Sequence, residues 1–407
     1  MRVEAKRFLF VALALSLTVG MGWAPGASAE EVLKIGWVAD MSGIGATFYK
    51  SQKAAVDLFV EETNAAGGFL GKKIEVIARD AALKPDVGAN LARELILSEK
   101  CEFLIGGTSS AVALAVTKVS KEFKKIVFFH TSNAESITTT DFQPYMFQVV
   151  PNTGIEGRGY ILYLSQKPYT KYGYIGYDYA YGHTQFDAAK ALLNKLNPKA
   201  EIIVELWPKA GETNYSSFIP TLMSKNPEVI FSSLWGGGLA SFIKQGVPYG
   251  LFKKSTLTAL YDLDLLRATG LEMPEGQLGY ARCPFYGVDT PQMAAFVKKY
   301  TAKYNEEPAD WAIMIYDGLL VLKKAIETAK TFDSDILVKT LEGMKWTSLR
   351  GERYIRAEDH MANVGIYVGT TAKDPRFKNF LILKDVTEVP AEKAWLSVEE
   401  VKKLQPK

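Results

Sequence analysis

The chain has 407 residues, 48% of them hydrophobic, 23% charged and 12% aromatic, with a formal net charge of +3. That length exceeds what one hydrophobic core usually supports, so two lobes are expected. The signs of charge are interspersed, which excludes a basic stripe for nucleic acid and a polybasic membrane patch.

Arg2, Lys6 and Arg7 precede an apolar run from Phe8 to Gly22, and Ala27-Ser28-Ala29 has the small-x-small form of a signal-peptidase site. The run is shorter than the roughly 20 residues that span a bilayer. No cysteine stands just after it to carry a lipid, since the two cysteines are Cys101 and Cys283. The expectation is a signal peptide over 1–29, cleavage after Ala29, and a mature chain free in a Gram-negative periplasm. Two cysteines so far apart make no disulfide framework, and both are read as free, largely buried thiols.

From Val32 the chain alternates short apolar runs with helical patterns, the mark of a parallel sheet covered by helices. Val32 to Ala39, Ile74 to Ala78, Phe103 to Ile105 and Ile126 to Phe129 read as strands. The first helix has Ala54, Ala55, Leu58, Phe59 and Ala65 at helical spacing and stops at Gly67-Gly68. A second stretch, Val87 to Ile96, and a third, with Val112, Val116, Val119 and Phe123 on one stripe, follow it. After Pro151 the alternation restarts with strands at Tyr172 to Tyr177, Glu201 to Leu206, Val229 to Leu234 and Leu257 to Leu260. Helices are expected around Thr184 to Leu196, Ser216 to Ser224 and Leu239 to Gln245. From Thr290 the pattern is helical over Pro291 to Tyr304, Trp311 to Ala329 and Ser334 to Gly343, and strand-like runs return at Val364 to Val368 and Phe380 to Leu383. The fold class is therefore α/β, with two doubly wound lobes and a chain that crosses between them more than once. The expected division puts 30–150 with 285–344 in lobe 1, and 151–284 with 345–407 in lobe 2.

Catalytic patterns are scarce. Gly43-Ile44-Gly45 follows a strand, but the third glycine of a dinucleotide site is missing and Asp80 comes too late for the ribose. No G-x-S-x-G, Walker loop or H-E-x-x-H occurs. His130 and His183 follow strands, yet no cysteine or carboxylate clusters beside them as a metal site needs. The reading is a non-enzyme without cofactor or metal.

The loops after the strands are richer. Thr108-Ser109-Ser110 sits between a strand and a helix, where hydroxyls and helix-start amides hold an anion or simply cap the helix. Thr131-Ser132-Asn133 ends the next strand, and two adjacent polar loops at strand carboxyl ends form a ligand crevice. In the second half Tyr181-Gly182, Trp235 and Tyr261-Asp262 recur at equivalent places in successive βα units.

The stretches Leu33-Lys34-Ile35-Gly36, Met41-Ser42-Gly43, Asn64-Ala65-Ala66-Gly67-Gly68 and Leu70-Gly71-Lys72-Lys73-Ile74, with Tyr181-Gly182, resemble the leucine-binding family of periplasmic receptors along nearly the whole mature chain. The resemblance implies a type I periplasmic-binding-protein fold with three hinge crossings, a ligand trapped by lobe closure, and an ABC-importer permease as partner to a monomeric receptor. It places ligand-binding roles on Ser110 with Ser109 beside it, on Thr131 and Asn133, on Phe48 or Tyr49, and on Tyr181 and Trp235. The family's acidic ligand for an ammonium falls on Tyr261, with Asp262 one step later. The implied ligand is a branched-chain or related small amino acid; the alternative is an aromatic or other small carboxylate or amide. A ligand-sensing regulatory domain is the reading from another class.

Overall fold

The first strand, β1 (Val32–Ala39), is buried along most of its length, with Ile35, Trp37 and Val38 shut off from solvent. A near-continuous apolar run needs this cover on both faces of a parallel sheet. The computed structural model describes residues 31–407, so the signal-peptide reading over 1–29 lies outside the described residues. α1 (Ala46–Ala65) leaves β1 and returns through Gly67-Gly68 to β2 (Lys73–Asp80). Gly68 has φ +77°, and a Cβ there would lie 1.8 Å from the Lys72 carbonyl oxygen. Asn64 completes the turn: its side chain accepts from Ile74 N (2.7 Å) and donates to Ile74 O (2.9 Å). The Asn64–Gly68 stretch is thus a structural clasp on β2.

α2 (Pro85–Leu97), β3 (Phe103–Ile105), α3 (Ser110–Phe123), β4 (Val127–Phe129) and β5 (Met146–Gln148) complete a five-stranded parallel sheet of order β2-β1-β3-β4-β5. The chain then passes through Val149–Asn152 into a second lobe. There α4 (Thr153–Leu164), β6 (Lys171–Ile175), α5 (Ala180–Leu196), β7 (Glu201–Leu206), α6 (Phe218–Lys225), β8 (Val229–Ser232), α7 (Gly236–Gly246), α8 (Leu251–Lys254), β9 (Thr256–Thr258) and α9 (Leu263–Thr269) build a parallel sheet of order β7-β6-β8-β9. β10 (Leu278–Ala281) extends it through a parallel bridge between Leu260 and Tyr280.

After β10 the chain crosses back. α10 (Pro291–Tyr304) and α11 (Asp310–Ala329) pack on α1, through Tyr304, whose hydroxyl donates to Ala54 O (2.7 Å), and through Phe59 against Tyr316. α12 (Ser334–Leu341) and the hairpin β11 (Lys345–Ser348) and β12 (Gly351–Tyr354) follow. The hairpin is tied to α11: Ser348 Oγ and Leu349 N donate to Asp317, and Arg350 forms a buried ion pair with it at 2.8 Å. It therefore packs with the first lobe, whereas the sequence reading grouped everything from 345 with the second. The third crossing runs beside the first, with Ala362 N donating to Gln148 O (2.9 Å). β13 (Ile366–Asp374) pairs antiparallel with both β10 and β14 (Phe377–Val389), and α13 (Ala391–Ala394) and α14 (Val398–Leu404) end the chain. The architecture is the expected two-lobed α/β fold with three crossings. No helix among the described residues is long and apolar enough to cross a membrane.

Candidate functional site

In each sheet the strand order reverses beside the first strand, with β2 and β3 flanking β1 and β7 and β8 flanking β6. A crevice opens outside the carboxyl ends at such a switch point. Here the two switch points face each other across one narrow cavity. The first lobe supplies Phe48 after β1, Thr108 after β3, Thr131 and Asn133 after β4, and Trp311 from α11; the second supplies Tyr179 and Tyr181 after β6, Trp235 after β8 and Leu260 after β9. Arg282, just beyond β10 on the second crossing, completes the wall.

Asp40, at the end of β1, positions the polar side. Its buried carboxylate accepts from Thr108 N (2.7 Å), Ser109 N (3.0 Å) and Leu83 N (3.0 Å). Burial raises its pKa, against the lowering effect of those backbone donors. Thr131 Oγ1 accepts from Gln52 Nε2 (3.0 Å) and shares a 2.5 Å hydrogen bond with His130 Nδ1. Burial pushes His130 down to about 3, which keeps it neutral. Asn133 donates to Pro151 O (2.7 Å) and so ties this loop to the first crossing.

The opposite walls are aromatic. Phe48 lies 4.1 Å from Trp311 and 5.6 Å from Trp235 between ring centroids, the second contact bridging the lobes. Trp235 Nε1 donates to the Tyr179 hydroxyl (2.9 Å), and Tyr179 stacks on Tyr181. Gly182 follows because a Cβ there would lie 2.0 Å from Tyr177 O.

Arg282 was not foreseen from the sequence. Only 3% of its side chain is exposed; Nε donates to Glu156 Oε1 (2.5 Å), Nη1 donates to Thr131 O (2.8 Å), and the guanidinium lies over the Trp311 ring. Burial alone would lower its pKa, but the Glu156 carboxylate, with Tyr181, holds it above the usual arginine range. Glu156 is itself fully buried and accepts from Gln185 Nε2 (3.0 Å), which also donates to the Tyr280 hydroxyl (2.7 Å). A cation directly after the apolar run Leu278–Ala281 was the available signal. Tyr179, Leu260 and Trp311 were likewise not singled out as ligand contacts, and Thr108 was named only within the Thr108-Ser109-Ser110 loop.

Of the expected site residues, Phe48, Thr131, Asn133, Tyr181 and Trp235 meet at the cavity, and Ser109, Ser110, Tyr261 and Asp262 do not line it. Tyr49 packs on Trp37 instead. Ser109 caps α3 by accepting from Val112 N, and Ser110 Oγ accepts from Asn133 N (3.3 Å) and Ala134 N (3.2 Å), so its hydroxyl shapes the neighbouring loop. Tyr261 turns into the sheet, where its hydroxyl donates to Leu257 O (2.9 Å) and its ring covers Gly279, at which a Cβ would lie 2.0 Å away. Asp262 is the N-cap of α9, accepting from Leu265 N (3.0 Å) on a seam shared with Asp264 and Asp310. No carboxylate lines the cavity among the described residues. Nor does any group of three or more metal-ligating side chains occur among them. His183 bonds Asp178 and stacks on Trp207 at the surface.

The Leu/Ile/Val-binding protein homolog 6 of Brucella abortus (strain 2308) is 26% identical over 370 residues, 89% of this chain and 93% of its own length. Among solved structures, a periplasmic binding protein from Burkholderia mallei superposes with a TM-score of 0.81 at 24% identity, covering 92% of this chain and 99% of the other. A solute-binding protein of an ABC transporter from Rhodopseudomonas palustris BisB5, in complex with 3,4-dihydroxybenzoic acid, gives 0.80 at 23% identity, covering 88% and 98%. The family profile described as periplasmic binding protein spans residues 32–375, both sheets and all the elements that carry the cavity, and the chain therefore belongs to the periplasmic binding protein family.

Proposed function

We propose that this chain, exported by residues 1–29 and processed after Ala29, is the monomeric periplasmic receptor of an ABC importer and closes its two lobes over a small molecule bearing a carboxylate. One observation carries the reading: a single cavity at both switch points, walled from both lobes. Phe48, Thr131, Asn133, Tyr181, Trp235, Arg282 and Trp311 are all nearly solvent-free. A ligand reaches such a cavity only when the lobes part, and its differential contacts with the closed state drive closure.

Two ligand classes fit that frame. A branched-chain amino acid is supported by the name of the Brucella relative, and an aromatic or other small carboxylate by the aromatic walls and by the ligand of the Rhodopseudomonas structure. No catalytic constellation lines the cavity, and receptor rather than enzyme is the reading. Small-angle scattering and thermal shift across amino acids, aliphatic and aromatic acids, amides and amines test it. A compaction with a rise in Tm for one class is expected; a micromolar ligand that leaves the scattering unchanged refutes closure.

A further inference from the structure

The geometry points to Arg282 as the residue that chooses the ligand: we infer that its guanidinium anchors a single carboxylate and that the site selects monoanions carrying no ammonium group. The inference rests on the receptor reading above and deepens it. Three observations carry it together.

First, Arg282 is the only charged side chain lining the cavity among the described residues. Its Nε donates to Glu156 and its Nη1 to Thr131 O, and the guanidinium also interacts with the Tyr181 hydroxyl on the cavity wall. A guanidinium presents five donors in a fixed fork suited to a carboxylate, more than Glu156, Thr131 O and Tyr181 take up.

Second, the helices that start at the cavity turn their positive ends towards it. Phe48, Tyr181 and Trp311 sit in the first turns of α1, α5 and α11, and Trp235 is the N-cap of α7. Helix N-termini favour an anion. They offer nothing to an ammonium.

Third, the acids that could hold an ammonium are committed elsewhere. Glu156 is held by Arg282 and Gln185 behind the wall, and Asp262 caps α9 outside the lining. A zwitterion closed into this cavity would bury its ammonium without a carboxylate partner, which is costly. The aromatic walls then fit a flat or branched apolar body.

Matched ligand pairs give the test. Leucine and 4-methylpentanoate differ by the ammonium; benzoate and benzamide differ by the charge. Isothermal titration of the wild type is expected to show at least one carboxylate, 4-methylpentanoate or benzoate, bound more than about 100-fold tighter than its partner, since each charge-assisted hydrogen bond is worth roughly 10- to 150-fold. Arg282→Met alone would strand the Glu156 charge, so the neutral pair Glu156→Gln with Arg282→Met is used, and its folding is checked by its Tm. It should lose carboxylate binding by about 100-fold while benzamide changes by less than about fivefold. Glu156→Gln by itself frees the guanidinium and should tighten carboxylate binding, whereas a purely structural ion pair predicts equal losses in both variants. Leucine binding tighter than 4-methylpentanoate, or equal losses in the two variants, overturns the role of Arg282 and leaves the receptor intact. If nothing in the wider screen compacts the wild type, the receptor reading falls and this inference with it.

Discussion

Asp262 and Asp264 carry opposite lessons for binding and for stability. Burial first, then the neighbouring carboxylates, pushes Asp262 up to about 8, and burial pushes Asp264 up to about 7 despite Arg267. Each keeps an oxygen buried without a hydrogen-bond partner. An unfolded aspartate titrates near 3.9, so the folded chain holds the extra protons between about pH 4 and 8. Stability therefore falls as pH rises through that window and levels off above it. Asp262→Asn keeps an oxygen to cap Leu265 N and removes the charge. It should raise Tm, with a gain that grows from pH 4 to pH 8 by at most about 1.4 kcal/mol per pH unit; calorimetry across that range showing a flat or shrinking gain refutes it. The buried pair of Asp317 and Arg350 behaves conventionally. Asp317→Ala strands the guanidinium and frees the β11–β12 turn, and should cost about 3–5 kcal/mol in urea unfolding.

At the scale of elements, the starts of α1 and α7 meet across the crevice, and Phe48 against Trp235 is the apolar contact that joins them. Such a contact exists only with the lobes together, so it belongs to the closed state. Trp235→Ala should leave association of a bound carboxylate nearly unchanged and speed its release about 10- to 100-fold, because affinity changes within one site fall mainly on dissociation. Stopped-flow fluorescence resolves the two rates. A variant slowed in association alone would place Trp235 on the path inward rather than in the closed wall.

For the whole molecule, the two sheets are joined by three strands of chain, and the second of them carries Arg282 between Glu156 in one lobe and Thr131 in the other. Closure and ligand contact are thus mechanically one event. The thiols report on the same packing: Cys101 and Cys283 are free and buried, with Cys101 pushed up to about 11 by burial. Native protein at pH 8 should take no alkylating agent, and protein in denaturant without reductant should take two adducts by intact mass. Fewer than two adducts in denaturant would mean that the thiols are oxidised.

Hydrophobic periodicity was enough to read most of the doubly wound strands and helices, because each apolar run or stripe is a local consequence of burial on a sheet. The loops after β4, β6 and β8 were legible for the same reason: a strand's carboxyl end in such a fold faces the crevice, and Thr131, Asn133, Tyr181 and Trp235 stand there, whereas Phe48 came from the family resemblance. Short β10, with no β-branched residue in Leu278–Ala281, was not legible, since its ladder partner β13 lies some ninety residues on. With it went Arg282, whose meaning depends on Glu156 and Thr131 brought from distant elements. Tyr261 and Asp262 show the converse. Their position along the chain was right for a ligand, but a strand-end residue faces the crevice or the sheet according to its pleat and its neighbours, and Gly279 leaves the space that Tyr261 fills. The sequence by itself determined the layers and the loops that surround the ligand; which side chain turns inward, and with what charge beside it, was decided by long-range packing alone.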